Sequence, residues 1–251
     1  MNKIIYLIFF LFLITPVKAE EYYCWSISGL NIRETPSPEG NILGKLLFGQ
    51  KVDIDLRNQE YSNYYEDIFL TGIKEDNSAD IKFKGAWLKL ELNGITGYVF
   101  SGYLSRFPNF LIEKTDNEIH CETFRKYMGR NYKLLNYNNA IWDSLFFDNK
   151  VRSFSWENGI TVINDNNEKG IGSTIIFAEM TPNEALLFLK FYFQLFEINN
   201  PDDKSKLHSS INFYGQSVEN DKYEINFPAP DGKITILVVG PSIVITYYGS
   251  C

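Results

Sequence analysis

Residues 24–106 place short segments of alternating apolar and polar character between turn-forming residues. Leu30 and Ile32 alternate with polar neighbours, which is the period of a half-buried strand. Asn93 and Gly94 supply the two positive-φ residues of a type I′ turn and predict a hairpin around them. Short strands joined by tight turns at close intervals favour a small β-barrel.

Five motifs in this segment follow one another in a fixed order. They occupy residues 30–37 (LNIRETPS), 43–44 (LG), 47–52 (LFGQKV), 86–90 (AWLKL) and 93–104 (NGITGYVFSGYL). In order and wording they resemble the bacterial SH3-like domain (SH3b), an extracytoplasmic binding module with a small-barrel fold. The resemblance implies that this segment binds a cell-wall peptide or glycan, or another protein of the cell envelope.

Residues 57–85 depart from compact SH3b domains, which connect the second strand to the Trp strand by a short turn. Here the sequence predicts added strands at 67–73 and 80–83, and an insertion next to the expected ligand groove. The predicted ligand-binding residues are aromatic: Tyr61, Tyr64 and Tyr65 in the insertion, and Trp87 and Tyr103 at motif positions. Aromatic rings stack on sugars or extended peptides, but they also dominate protein cores, so packing is the alternative role for Trp87.

The N-terminus has the pattern of a signal peptide. A short basic start precedes an apolar run at residues 4–14, which is too short to span a bilayer core of ~30 Å. Small residues follow, and we predict that residues 1–19 are removed by cleavage after Ala19. The mature protein is then periplasmic or secreted, without stable membrane insertion. A retained anchor and a lipoprotein modified at Cys24 are the alternatives.

The formal net charge is −7, and the chain contains no basic run. Nucleic-acid phosphates and anionic membrane surfaces both require clustered Lys and Arg, so neither is an expected partner. A hydrophobic fraction of 45% indicates a folded core.

Residues 116–251 predict an α+β domain of no recognised family, beyond a boundary placed near 108–116. A capping box at Thr115–Glu118 predicts a helix over 117–128 that carries Cys121 and stops at Gly129. A second helix begins with Thr181 as cap, Pro182 at the first position and Glu184 at the third, and runs to Glu197 as a mostly buried element.

The remaining segments alternate as strands and form an antiparallel sheet. The predicted strands cover 151–154, 159–164, 173–180, 210–215, 222–227, 233–239 and 243–248, with a hairpin turn at 170–172. The predicted fold is therefore mainly β, with an SH3-like barrel domain at 20–107 followed by an antiparallel sheet packed with two helices.

No catalytic, cofactor or metal motif is present in the sequence. Cys121 and His208 would be the obvious nucleophile and base of a cell-wall hydrolase, but the flanking residues lack that family's signature. Two histidines without a Cys-x-x-Cys motif do not indicate a zinc site. We therefore expect a non-enzymatic binding protein, with a hydrolase and an inhibitor or immunity-type protein as alternatives.

Three cysteines in an exported protein predict one disulfide and one free thiol. A Cys121–Cys251 bond would close a loop of about 130 residues and contribute on the order of 4–5 kcal/mol in the chain-entropy model. The competing pair is Cys24 with Cys121. Non-reducing peptide mapping of the oxidised mature protein is expected to recover a Cys121–Cys251 peptide, and a bonded Cys24 would contradict this pairing.

Overall fold

The computed structural model describes residues 19–56, 64–70, 81–114, 119–144, 147–167, 170–192, 215–219, 222–227 and 232–250. Secondary structure within these ranges is mostly β, with two helices. None of the helices described is long and apolar enough to cross a membrane. Residues 1–18 of the predicted signal segment, Tyr61, His208 and Cys251 lie outside these ranges.

The N-terminal part folds into two small antiparallel sheets. Its strands are β1 (Glu20–Cys24), β2 (Leu30–Arg33), β3 (Ile42–Leu46), β4 (Lys51–Ile54), β5 (Tyr64–Leu70), β6 (Ile81–Leu92), β7 (Ile95–Phe100) and β8 (Leu104–Ser105). The sheet orders are β3-β2-β7-β6-β5 and β4-β1-β8, and one 3₁₀ turn (Ser101–Tyr103) joins β7 to β8. Asn93 has φ 52° and Gly94 has φ 80°, which confirms the predicted hairpin between β6 and β7.

The C-terminal part is built on an eight-stranded antiparallel sheet. Its elements are β9 (Ile112–Lys114), β10 (Ile119–Cys121), α1 (Phe124–Asn131), β11 (Leu134–Ser144), β12 (Phe147–Trp156), β13 (Thr161–Asn167), β14 (Gly170–Phe177), α2 (Pro182–Tyr192), β15 (Gly215–Glu219), β16 (Lys222–Phe227), β17 (Gly232–Val239) and β18 (Ser242–Ser250). The sheet order is β11-β12-β13-β14-β18-β17-β16-β15, and β9 pairs with β10 separately.

A row of β-branched residues crosses this sheet on one face. The register places Val162 opposite Ile175, Ile175 opposite Ile245, and Ile245 opposite Ile236. All four side chains are buried. Such cross-strand pairs stabilise a sheet and give α2 an apolar surface to pack on.

The predicted helix over 117–128 is wrong in position. Residues 119–121 form β10, which pairs with β9, and Cys121 therefore ends a strand instead of entering a helix. The helix begins about two turns later than predicted, at Phe124, where the Thr123 hydroxyl accepts a hydrogen bond from the Lys126 backbone N–H. Gly129 lies within α1 and does not stop it.

One turn prediction is wrong, and one strand was not predicted. Gly170–Gly172 opens β14 and is not a hairpin turn, since Gly170 pairs with Asn167 and with Ser250. The Asn-rich segment of β11 was not predicted as a strand, yet it pairs with β12 along its length. The predicted strands at 222–227, 233–239 and 243–248 correspond to β16, β17 and β18, which pair in that order. The predicted strand at 210–215 lies outside the described residues except for Gly215, where β15 begins.

The predicted boundary segment is part of the core. Phe110 is 1% exposed, and its ring stacks on Tyr127 of α1 at a centroid distance of 4.2 Å. It also contacts Trp25 after β1 at 6.1 Å and Phe188 of α2 at 5.4 Å. One continuous hydrophobic cluster therefore joins the N-terminal sheets to the C-terminal sheet.

Phe110→Ala should lower the free energy of unfolding by about 3–5 kcal/mol, because it leaves a cavity between three packed elements. Leu111→Ala is the matched control, since Leu111 is the next residue and is 58% exposed. It should change the free energy of unfolding by no more than about 0.5 kcal/mol. Urea denaturation measures both, and equal effects would contradict a central role for Phe110.

Candidate functional site

Strand β6 is the element around which the candidate site is built. Its first half pairs with β5 of the insertion, and its second half pairs with β7. Alternate side chains point to opposite faces of a strand, so Phe83 and Trp87 lie on one face and Lys82 and Lys84 on the other. The two faces of β6 form two distinct features, an aromatic cluster and a cleft.

The aromatic cluster consists of Tyr65, Phe83, Trp87, Phe100 and Tyr103. Tyr65 meets the edge of Phe100 at 5.2 Å between centroids and lies 6.1 Å from Trp87. Tyr103 contacts Phe83 at 5.0 Å and Phe100 at 5.8 Å. Edge-to-face contacts of this kind each contribute about 0.5–1.5 kcal/mol beyond area burial.

Members of the aromatic cluster differ in how much they face the solvent. Trp87 is only 5% exposed and packs in the core, whereas Tyr65 and Tyr103 are half-buried. The Tyr103 hydroxyl donates to the Asp67 carboxylate. Burial raises the pKa of Tyr103, and the hydrogen bond to Asp67 raises it further. Tyr103 is therefore a neutral, oriented ring at the surface.

A glycine lets the 3₁₀ turn approach β6 closely. A Cβ at Gly85 would lie 2.6 Å from Ser101 Oγ and 2.8 Å from the Gly102 backbone nitrogen. The Ser101 hydroxyl accepts a hydrogen bond from the Ala86 backbone N–H at 2.9 Å. This close approach fixes Tyr103 beside Phe83.

The structure brings three of the five predicted ligand-binding residues together: Tyr65, Trp87 and Tyr103. Tyr64 lies in β5 opposite Ala86, but its side chain is outside the described part, as is all of Tyr61. The sequence patterns did not indicate Phe83, Phe100 or Asp67 as site residues. Phe83 was detectable, because it lies at an i, i+4 spacing from Trp87 along one strand face.

The cleft lies on the other side of β6 and has a volume of about 560 Å³. Its lining comes from β1, the segment after β4, β6, the 3₁₀ turn, β8 and the start of α2. The residues are Tyr22, Leu56, Lys82, Lys84, Gly85, Ala86, Leu88, Ser101, Leu104, Arg106, Thr181, Pro182, Asn183 and Glu184. The cleft therefore forms only where the SH3-like segment meets the C-terminal part.

Glu184 closes the inner end of the cleft. Its side chain is 3% exposed and forms a capping box with Thr181, the predicted cap residue, since it accepts from the Thr181 backbone N–H at 2.9 Å. It also accepts from Ser105 Oγ at 3.2 Å and from the Arg106 backbone N–H at 2.8 Å. Desolvation lowers the pKa of Arg106, but the charge of Glu184, its hydrogen bond and the charges of Tyr22 and Glu20 together outweigh that effect, and the pKa is raised.

Asn183 joins α2 to the backbone of β6. Its side-chain Oδ1 accepts from the Lys84 backbone N–H at 3.1 Å, and its Nδ2 donates to the Lys84 carbonyl oxygen. Lys84 lies opposite Glu66 of β5, and the bonded groups face away from that strand. Asn183 thus forms hydrogen bonds with backbone groups of β6 at a position where β7 does not pair with it.

The two described cysteines are thiols with raised pKa values. Cys24 is fully buried, Cys121 is half-buried, and they form no disulfide with each other. Burial raises the pKa of Cys121 to about 12, with a further contribution from the charge of Glu122. Burial likewise raises the pKa of Cys24 to about 11. The Cys121–Cys251 disulfide stays a prediction.

Acidic, histidine and cysteine side chains form no group of three suited to a metal ion within the part of the chain that is described. The geometry around β6 can instead bind ligands by stacking on the aromatic cluster or by polar contacts in the cleft.

Residues 28–105 match the family model described as Bacterial SH3 domain. The match confirms the family that the motif order predicted, and this segment is a bacterial SH3 domain. It includes every described member of the aromatic cluster. No curated protein and no solved structure shows significant similarity to the chain.

In the reduced protein, Cys121 should react with iodoacetamide at pH 8 at least about tenfold more slowly than in the urea-unfolded protein. The reason is that the raised pKa keeps the folded thiol protonated at this pH. Peptide mass mapping over time measures the rate at this residue alone. Rapid alkylation of Cys121 in the folded state would contradict the raised pKa, and Cys121 would again be a candidate nucleophile.

Proposed function

We propose that this protein is an exported, non-enzymatic binding protein of the bacterial cell envelope. Its SH3 domain recognises cell-wall peptide or glycan through the exposed side of the aromatic cluster. The observation that carries the proposal is the position of Tyr65 and Tyr103, two half-buried rings that both contact Phe100 on a domain of a family that commonly binds cell-wall components.

The binding chemistry follows from the arrangement of the rings. Trp87 and Phe100 are buried and hold Tyr65 from behind, so little side-chain entropy is lost when a ligand stacks on it. Asp67 orients Tyr103 in the same way. Preorganised aromatic rings of this kind are typical anchors of binding sites.

Export is supported by the signal-peptide pattern of residues 1–19, and it places the SH3 domain in the compartment that contains peptidoglycan. The hydrolase alternative is disfavoured because the raised pKa of Cys121 opposes thiolate formation and because Cys121 ends a strand.

Purified mature protein should sediment with insoluble peptidoglycan without releasing soluble fragments. Tyr65→Ala should weaken sedimentation roughly tenfold, as expected for the loss of one anchoring side chain. Tyr65→Phe retains the ring and should bind like the wild type. Sedimentation isotherms with circular dichroism of each variant separate lost binding from lost folding.

Tyr98→Ala is the positional control, since Tyr98 is a half-buried tyrosine on β7 of the same domain and outside the aromatic cluster. Equal loss in Tyr98→Ala and Tyr65→Ala would contradict the proposed surface. Release of soluble fragments would overturn the non-enzymatic assignment, and failure to sediment would favour a protein partner in the envelope.

A further inference from the structure

We propose that the cleft binds a small ligand that carries one carboxylate next to an aliphatic group, as the C-terminal residue of a peptide does. This goes beyond the proposed function, because the cleft lies on the opposite face of β6 from the aromatic cluster. It also needs residues of α2, which lie outside the bacterial SH3 domain.

The size and floor of the cleft suit an aliphatic group. A volume of about 560 Å³ falls within the ~300–1,000 Å³ of typical ligand sites. Ala86, Leu88 and Leu104 are buried and form an apolar floor. Pro182 adds an apolar wall at the start of α2.

The acceptor groups of the cleft are already engaged by the protein. Both oxygens of Glu184 accept hydrogen bonds, from Thr181, Ser105 and Arg106. The side-chain amide of Asn183 is bonded at both ends to the Lys84 backbone. A ligand donor would therefore find these acceptors occupied.

Donor groups remain available to a ligand. The Lys84 side chain is 69% exposed, and its contact with Glu66 Oε1 is long at 3.7 Å. An ammonium group has three protons, so this contact leaves donors for a ligand. Ser101 Oγ accepts from the Ala86 backbone N–H and retains its hydroxyl proton to donate. A cleft with donors beside an apolar floor is complementary to an aliphatic carboxylate.

The charges around the cleft favour a ligand with one negative charge over a ligand with two. Lys82, Lys84 and Arg106 line the cleft, but three carboxylates lie close to these groups. Glu66 contacts both lysines, Glu184 contacts Arg106, and Glu20 accepts from the Tyr22 hydroxyl. A phosphate dianion would meet more repulsion from these carboxylates than a single carboxylate does.

The test uses the full mature protein labelled at leucine and alanine methyl groups, titrated with N-acetyl-Ala-Leu as the free acid and as the amide. The acid, at up to about 10 mM, should shift the methyl signals of Ala86, Leu88 and Leu104. The amide lacks the charge and should bind at least about tenfold more weakly. Glucuronate, a carboxylate without an aliphatic chain, should also bind more weakly than the acid.

Lys84→Gln removes the donor charge from an exposed side chain and should weaken binding of the acid about tenfold. Lys89→Gln is the matched control, because Lys89 is an exposed lysine on the same strand outside the cleft. Absent shifts at the floor methyl groups, equal binding of acid and amide, or equal effects of the two lysine variants would each overturn the proposal. Tyr65→Ala should leave acid binding unchanged, so this site and the peptidoglycan surface succeed or fail separately.

Discussion

The buried carboxylate of Glu184 links the start of α2 to the segment in which the chain leaves the SH3 domain. Within α2 it caps the first turn, and across the chain it accepts from the side chain of Ser105 and from Arg106 as the chain leaves the SH3 domain. A buried carboxylate is tolerated only when its oxygens are hydrogen-bonded, and removal of a partner typically destabilises by about 3–5 kcal/mol. The start of α2 and the end of β8 therefore constrain each other.

The apolar counterpart of this polar junction is Phe110. Its ring lies among Trp25, Tyr127 and Phe188, which come from three separate segments of the chain. The backbone around it is also held, since the Trp25 indole N–H donates to the Phe107 carbonyl oxygen and Tyr127 donates to that of Pro108. The segment that connects the two parts is therefore packed in the core and is not an exposed linker.

Local signals in the sequence predicted the elements that depend on local interactions. The Asn93-Gly94 hairpin and the Thr181–Glu184 cap need only neighbouring residues, and both are present. Strands β10 and β11 were missed because their partners decide their conformation: a plausible helix cap preceded the first, and asparagines dominate the second. Tertiary pairing overrides weak local propensity in such segments.

The same distinction applies to the two candidate sites. The aromatic cluster was partly predictable, because Trp87 and Tyr103 belong to the family motifs and Tyr65 to the insertion beside them. The cleft was not predictable, since Asn183 and Lys84 are 99 residues apart in sequence. No periodicity or motif relates positions that meet only after two parts of a chain have packed together.

The amide of Asn183 has a consequence for the solubility of the protein. In the first half of β6, one edge would otherwise present an open N–H and C=O pair at Lys84. Open strand edges attract strands of other molecules and promote aggregation. A side-chain amide has the same donor and acceptor as a peptide group. Asn183 therefore bonds to the Lys84 backbone as a residue of a neighbouring strand would. The helix that completes the cleft thereby also covers this short open edge of β6.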